Sequence, residues 1–269
     1  MDNIIESAVT SEIGLFAPNL PGLIPVISAD ASNDELRRVR LLIEHKERDI
    51  AIRIRRSGQP AEELDERIRS VMRLTGAAPG RVHAVVDAEF VETVRAHDVA
   101  AVTSAAVTVS NLLGPEAITL LAGSIPAIRT NYATILRDRP EVTLWEEVRQ
   151  SGAEGINYGD YGVTHPKPPQ SGGNARTPSP YLCYTVPRRT VILRRKKEKD
   201  DAAAELFADL AEELVKRNDF AGPDYSWGDR ELTRCQLTGK QSAGSVPRWV
   251  AMATSHHLEH VSRRTADDL

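Results

Sequence analysis

Cysteine, aromatic residues and long apolar runs are all scarce in this chain, and each scarcity removes a class of answer. The two cysteines, Cys183 and Cys235, lack the close spacing of metal ligands. They give no disulfide scaffold and suit a reducing compartment. No apolar run reaches the roughly 20 residues of a membrane span, and the opening "MDNIIESAVTSEIG" has no basic n-region. The expected address is therefore cytoplasmic, with no membrane partner. A net charge of −4 supplies no global basic field for nucleic acid. Neither GxGxxG nor GxxxxGKS/T follows the first strand, which weakens nucleotide-fold readings, and no GxSxG elbow occurs. The late "HHLEH" departs from the HExxH zinc helix, so His256, His257 and His260 read as surface or helix-packing residues.

What remains is an alternation of short apolar runs with helical periodicity. The runs "GLIPVIS", "DIAIRIR", "RVHAVVD", "AITLLAG" and "INYGDYG" read as five strands. "YLCYTV" and "TVILRR" read as a hairpin around "PRR". Helices are expected at Asn33–Arg48, at Pro60–Gly76 with proline at its start and glycine at its end, and from about Glu89 to Leu113. One or two more are expected through "YATILRDRPEVTLWEEVRQSG", followed by "DAAAELFADLAEELVKRN" and a final helix around "PRWVAMATSHHLEHVSRR". The glycine-rich stretch from Phe220 to Ser245 reads as a loop. Strand–helix alternation implies parallel strands joined by right-handed crossovers. The expected class is α/β, a TIM-type (β/α) barrel, incomplete at its N-terminus. An open doubly wound sheet is the alternative. Residues 1–269 then form one barrel-like domain, with 1–21 an N-terminal extension and 218–269 a C-terminal loop and helix packed on the barrel.

Sites in parallel α/β folds gather at the C-terminal ends of strands. Here those ends read Ser28–Asp30, Arg53–Arg55, Asp87, Gly123–Ser124, Gly159–Tyr161 and Arg194–Arg195. In "DIAIRIR" the isoleucines share one face, which puts Arg53 and Arg55 on the other, aimed inward. A buried guanidinium needs a partner, so Asp87, Asp160 or an anionic ligand is expected beside them. The expected ligand-binding set is Arg53, Arg55, Asp87, Asp160, Tyr161 and His165, with Tyr184 and Arg194 from the hairpin. An internal Arg–Asp network and a bulged strand at "GDYG" are the competing structural readings. The loop from Val163 to Pro180 is longer than a strand–helix link requires. It is expected to lie across the strand-end pocket, with His165 at its hinge. No metal and no cofactor are assigned. The rival reading is a metal-dependent phosphodiester hydrolase built on Asp30, Asp87 and Asp160, for which the carboxylates are few.

In this order, "AIRI", "VVD", "INYGDYGVTHP", "CYT…TVILRR", "SWGD" and "RW…SHHLEHV" resemble the beta protein family, over roughly Leu23 to Val261. "GDYG" is the most specific element. The resemblance implies a barrel-like α/β fold in a phage-related, mobile-element or antiviral defence setting, with no established reaction, cofactor or catalytic residue. Two departures are visible. Cys183 stands where the family pattern has an arginine, and members usually carry a further N-terminal strand–helix region. Uncovered edges near that end would be paired or covered. A homo-oligomer or protein complex is therefore expected, with an anionic ligand or nucleic acid as the other class of partner.

Overall fold

A computed structural model describes residues 24–46, 49–55, 60–127, 131–167 and 179–263. Its contacts divide the chain into two compact units. The first comprises Met1–Ala88, Arg95–Leu121 and Trp145–Gly159, and the second Glu89–Val94, Ala122–Leu144 and Asp160–Leu269.

Strands β1 (Val26–Ser28), β2 (Ile50–Arg55), β3 (Val82–Phe90), β4 (Ile118–Gly123) and β6 (Asn157–Asp160) form a mostly parallel sheet in the order β1-β2-β3-β4-β6. β1 pairs parallel with β2, Ser28 beside Arg53, and β2 pairs parallel with β3, Arg55 beside Asp87. The helices α1 (Asn33–Lys46), α2 (Ala61–Thr75) and α3 (Ala96–Leu113) follow the first three strands and pack in sequence, α1 on α2 and α2 on α3. In α2, Leu64, Ile68, Val71 and Thr75 are buried at helical spacing, and Gly76 ends the helix at φ 74 by donating to the Met72 carbonyl. Isoleucines 50, 52 and 54 are essentially inaccessible, each contributing about 1.5–3 kcal/mol by burial.

The α/β class is borne out, and the strand order is that of an open sheet. A closed TIM-type ring is not shown among the described residues. The strands it would need lie in a second sheet of order β5-β8-β7, made by β5 (Ile135–Asp138), β7 (Tyr181–Val186) and β8 (Arg189–Arg194). Both pairings in that sheet are antiparallel. Pro187 and Arg188 make its two-residue turn, with Arg188 at φ 59, so the expected hairpin is present. The helix α4 (Pro140–Gln150) precedes β6. Helices α5 (Ala203–Val215), α6 (Trp227–Thr238), α7 (Lys240–Ala243) and α8 (Val246–Arg263) complete the second unit. Its core packs β7 and β8 under α5, with the Phe207 and Trp249 rings stacked at 4.5 Å.

Three expected elements differ. The helix expected from Glu89 starts only at Ala96, because β3 continues through Phe90. An Ala/Val-rich run satisfies either period, and sheet pairing decides it. The first half of the helical region at 132–152 is instead β5, paired with Arg189–Ile192, and Pro140 opens α4, where it needs no N–H donor. The glycine-rich stretch contains α6, whose Ser226 cap accepts from the Asp229 N–H. Gly228 serves close approach there: a Cβ would stand 2.0 Å from the Met252 carbonyl oxygen of α8. We predict that Gly228→Ala costs about 3 kcal/mol by overpacking. Urea denaturation will show the midpoint fall, and an unchanged midpoint would remove the claim of a backbone-tight α6–α8 crossing.

Candidate functional site

Polar residues concentrate in two places, one in each unit. In the first unit, the parallel register sets Arg53 and Arg55 beside Asp87. Asp87 is fully buried, and its Oδ2 accepts from Arg53 Nε at 2.8 Å and Arg55 Nε at 3.2 Å, with Arg53 Nη2 at 2.6 Å. The guanidiniums, expected in an interior, remain 28% and 52% exposed as side chains. One buried carboxylate therefore orients two cations whose outer portions reach solvent. Charge-assisted bonds of this kind fix direction as well as energy. At the neighbouring tip, Asp30 donates its N–H to Ser28 Oγ at 3.2 Å and pairs with Arg67 of α2.

In the second unit, Asp160 ends β6 with its side chain 9% exposed. Its Oδ2 accepts from Arg139 Nη2 at 3.0 Å, while Oδ1 accepts from the Gly162 N–H at 2.9 Å and faces His257 Nε2 at 2.8 Å. Arg139 is 1% exposed as a side chain, and its Nε donates to Glu141 Oε1 at 3.0 Å. The other ring nitrogen of His257 lies 2.8 Å from the Thr185 hydroxyl. With its proton on Nε2 the ring donates to Asp160 and accepts from Thr185. His256, the preceding residue, faces the Thr185 carbonyl through Nε2 at 2.7 Å and Asp229 through Nδ1 at 3.0 Å. Asp229 also accepts from Ser226 Oγ at 2.6 Å and from the Tyr184 hydroxyl at 2.8 Å. Burial first, and the Asp229 charge second, push the Tyr184 phenol far above its ordinary value, so it stays a donor. Burial likewise pushes the Cys235 thiol up to about 11, leaving an inert core residue.

The remaining expected residues fall as follows. Tyr161 donates its N–H to the Ala122 carbonyl at 3.3 Å and packs over Gly123, where a Cβ would meet its side chain at 3.1 Å. His165 lies on the Phe90 ring with centroids 5.0 Å apart, and its Nδ1 accepts the Lys167 N–H at 3.0 Å. Tyr184 is wholly buried in the network just described. The Arg194 guanidinium stands 4.3 Å over the Tyr132 ring. Most of the loop expected to cover the site, residues 168–178, lies outside the described residues.

Arg67, Arg139, Thr185, Asp229, His256 and His257 were not singled out as a site in the sequence. For the histidines a signal existed: the buried stripe of α8 runs Trp249, Met252, Ala253, His256, His257, His260. The histidines occupy core positions of that stripe, and all three are buried rather than superficial. Each carboxylate nominated for a metal is engaged by a guanidinium, Asp30 by Arg67, Asp87 by Arg53 and Asp160 by Arg139. Among the described residues no group of three or more His, Cys, Asp or Glu is placed to hold a metal ion.

Compared with known proteins, the chain is matched from residue 4 to residue 263 by a family profile described as Beta protein. No curated protein and no solved structure matches it.

The two acid–arginine clusters should respond differently to truncation. Asp160→Ala removes a carboxylate from a guanidinium that is 1% exposed and should cost about 3–5 kcal/mol. Asp87→Ala releases partners that already reach solvent and should cost about 1–2 kcal/mol. Thr185→Val, which strips one hydroxyl from His257, should fall in the same lower range. Chemical denaturation of the three variants gives the order. An Asp87→Ala loss equal to that of Asp160→Ala would overturn the distinction.

Proposed function

The chain belongs to the Beta protein family, and from that premise we propose that it binds an anionic ligand at the C-terminal ends of β2 and β3, as a component of a phage-related or anti-phage system. The ligand presents a phosphate or carboxylate to Arg53 and Arg55. One observation carries the reading: a single buried carboxylate, Asp87, holds both guanidiniums at a strand end while 28% and 52% of their side chains stay exposed. Guanidinium forks match phosphate and carboxylate geometry, and an arginine already oriented loses less rotamer freedom on binding. Asp87 is thus a positioning residue, and the arginines make the contact. The location agrees with the general tendency of open parallel sheets to bind ligands beyond their carboxyl edges.

Inorganic phosphate is the probe. Titrated into the full chain and followed by calorimetry, it should bind, with affinity falling about tenfold for Arg53→Ala or Arg55→Ala, the equivalent of one charge-assisted hydrogen bond. Affinity should also weaken as salt is raised, because both cations are partly exposed. Arg53→Lys retains charge without the fork and should recover only part of the loss. If Arg55→Ala binds phosphate as the unaltered chain does, the reading fails.

A further inference from the structure

Two of the three tryptophans lie in the core, Trp145 at 5% and Trp249 at 4% exposure, whereas Trp227, the first residue of α6, is 41% exposed. Tryptophans that stay in solvent are concentrated at binding surfaces. Helical spacing puts Arg230, Glu231 and Arg234 on the same side of α6 as Trp227. The charged residues of α6 divide by sign: Asp229 and Glu231 are buried, while Arg230 and Arg234 are exposed. Solvent therefore meets an indole ring and two cations.

Glu231 holds the arginines in place. Its side chain is 6% exposed, and it accepts from Arg234 Nη1 at 3.0 Å through Oε1 and at 3.3 Å through Oε2. Oε2 also accepts from Nη2 of Arg248, which comes from α8. The side chains of Arg234 and Arg248 remain 59% and 38% exposed. The Arg248 guanidinium stands 5.8 Å from the centre of the Trp227 ring. Gly244 leaves room for that side chain, since a Cβ there would lie 2.5 Å from Arg248 Cδ. Arg248 Nε is buried without an acceptor among the described residues, so this guanidinium is short of partners. One ring and three cations share an open surface, and a buried acid orients two of the cations.

We propose that Trp227, Arg230, Arg234 and Arg248 form a binding surface for single-stranded nucleic acid. A base stacks on the exposed part of the Trp227 ring, and the flanking phosphates accept from the guanidiniums. Every base has a π-face, and guanidinium forks fit phosphate oxygens, so a ring beside fixed arginines matches what a single strand presents. An acidic peptide would engage the cations and leave the indole idle. A duplex keeps its bases stacked on one another and offers the ring nothing. The surface is open, which suits a polymer making repeated contacts better than a small molecule that needs enclosure. It uses residues of the second unit alone and does not depend on the reading given to Arg53 and Arg55.

The test uses the full chain and a fluorescein-labelled oligothymidylate of about 12 nucleotides, followed by anisotropy at low salt. A duplex of the same length and polyglutamate serve as competitors. The single strand should bind, and Trp227→Ala should weaken it about tenfold, the loss of one base–aromatic stack. Trp227→Phe keeps a ring and should recover part of that loss. Arg234→Ala should weaken binding and lower the slope of log affinity against log salt by about 0.7, the value of one phosphate contact. Both side chains are exposed, and thermal melting checks that the variants fold. Arg53→Ala should bind the strand as the unaltered chain does. The proposal is overturned if the single strand does not bind, or if the duplex or polyglutamate displaces it as well as unlabelled single strand does. It is equally overturned if Trp227→Ala binds as before, or if Arg53→Ala weakens binding as much as Trp227→Ala does.

Discussion

A carboxylate taken out of water must be given donors, and in the second unit that requirement ties the end of β6 to β7, α6 and α8. Asp160 and Asp229 are the two acids concerned, and each is bonded to one member of a histidine pair, His257 and His256. Both rings meet Thr185, one through its hydroxyl and one through its carbonyl. β7 is an edge of its sheet, so the Thr185 carbonyl would otherwise face outward from the ladder. α8 covers that edge with an imidazole instead of another strand, which is one of the ways proteins protect strand edges. Removing any one group leaves a buried polar atom without its partner, and such groups cost more to strand than they contribute in water.

The first unit treats its charges in the opposite way. Asp87 is as deeply buried as Asp229, yet its partners lean into solvent. A network that closes upon itself, as around Asp160, holds structure together. One that ends in half-exposed guanidiniums leaves a surface on which something else can be bound. Under the proposed function the same residue types would serve a structural role in one unit and a recognition role in the other, the difference lying in where the side chains end.

Much of this was legible from the chain alone, and the rest failed for identifiable reasons. Strands β2, β3 and β4 are short runs rich in apolar residues, and the period of two along "AIRIR" placed Arg53 and Arg55 on one face. Register then brought Asp87 beside them. β5 was misread because its residues are largely exposed, so it carries no alternation to betray a strand. α6 was hidden by glycines that mark close packing and helix ends rather than a loop. The partners of Asp160 were out of reach of local reading: His257 is 97 residues away in sequence, and a histidine's chemistry does not disclose whether its ring is wet or dry. Only its position in the stripe of Trp249, Met252 and Ala253 does so.

The adjacent histidines of α8 have a mechanical consequence. Successive positions on a helix diverge by about 100°, so two neighbouring rings ordinarily look at different surroundings. Here they close on one residue from two directions, as two teeth close on a single notch. Sliding α8 along its strand would have to lengthen both contacts. Through the same His257 ring, α8 is also joined to Asp160 at the end of β6, so one helix turn bonds to two strands at once.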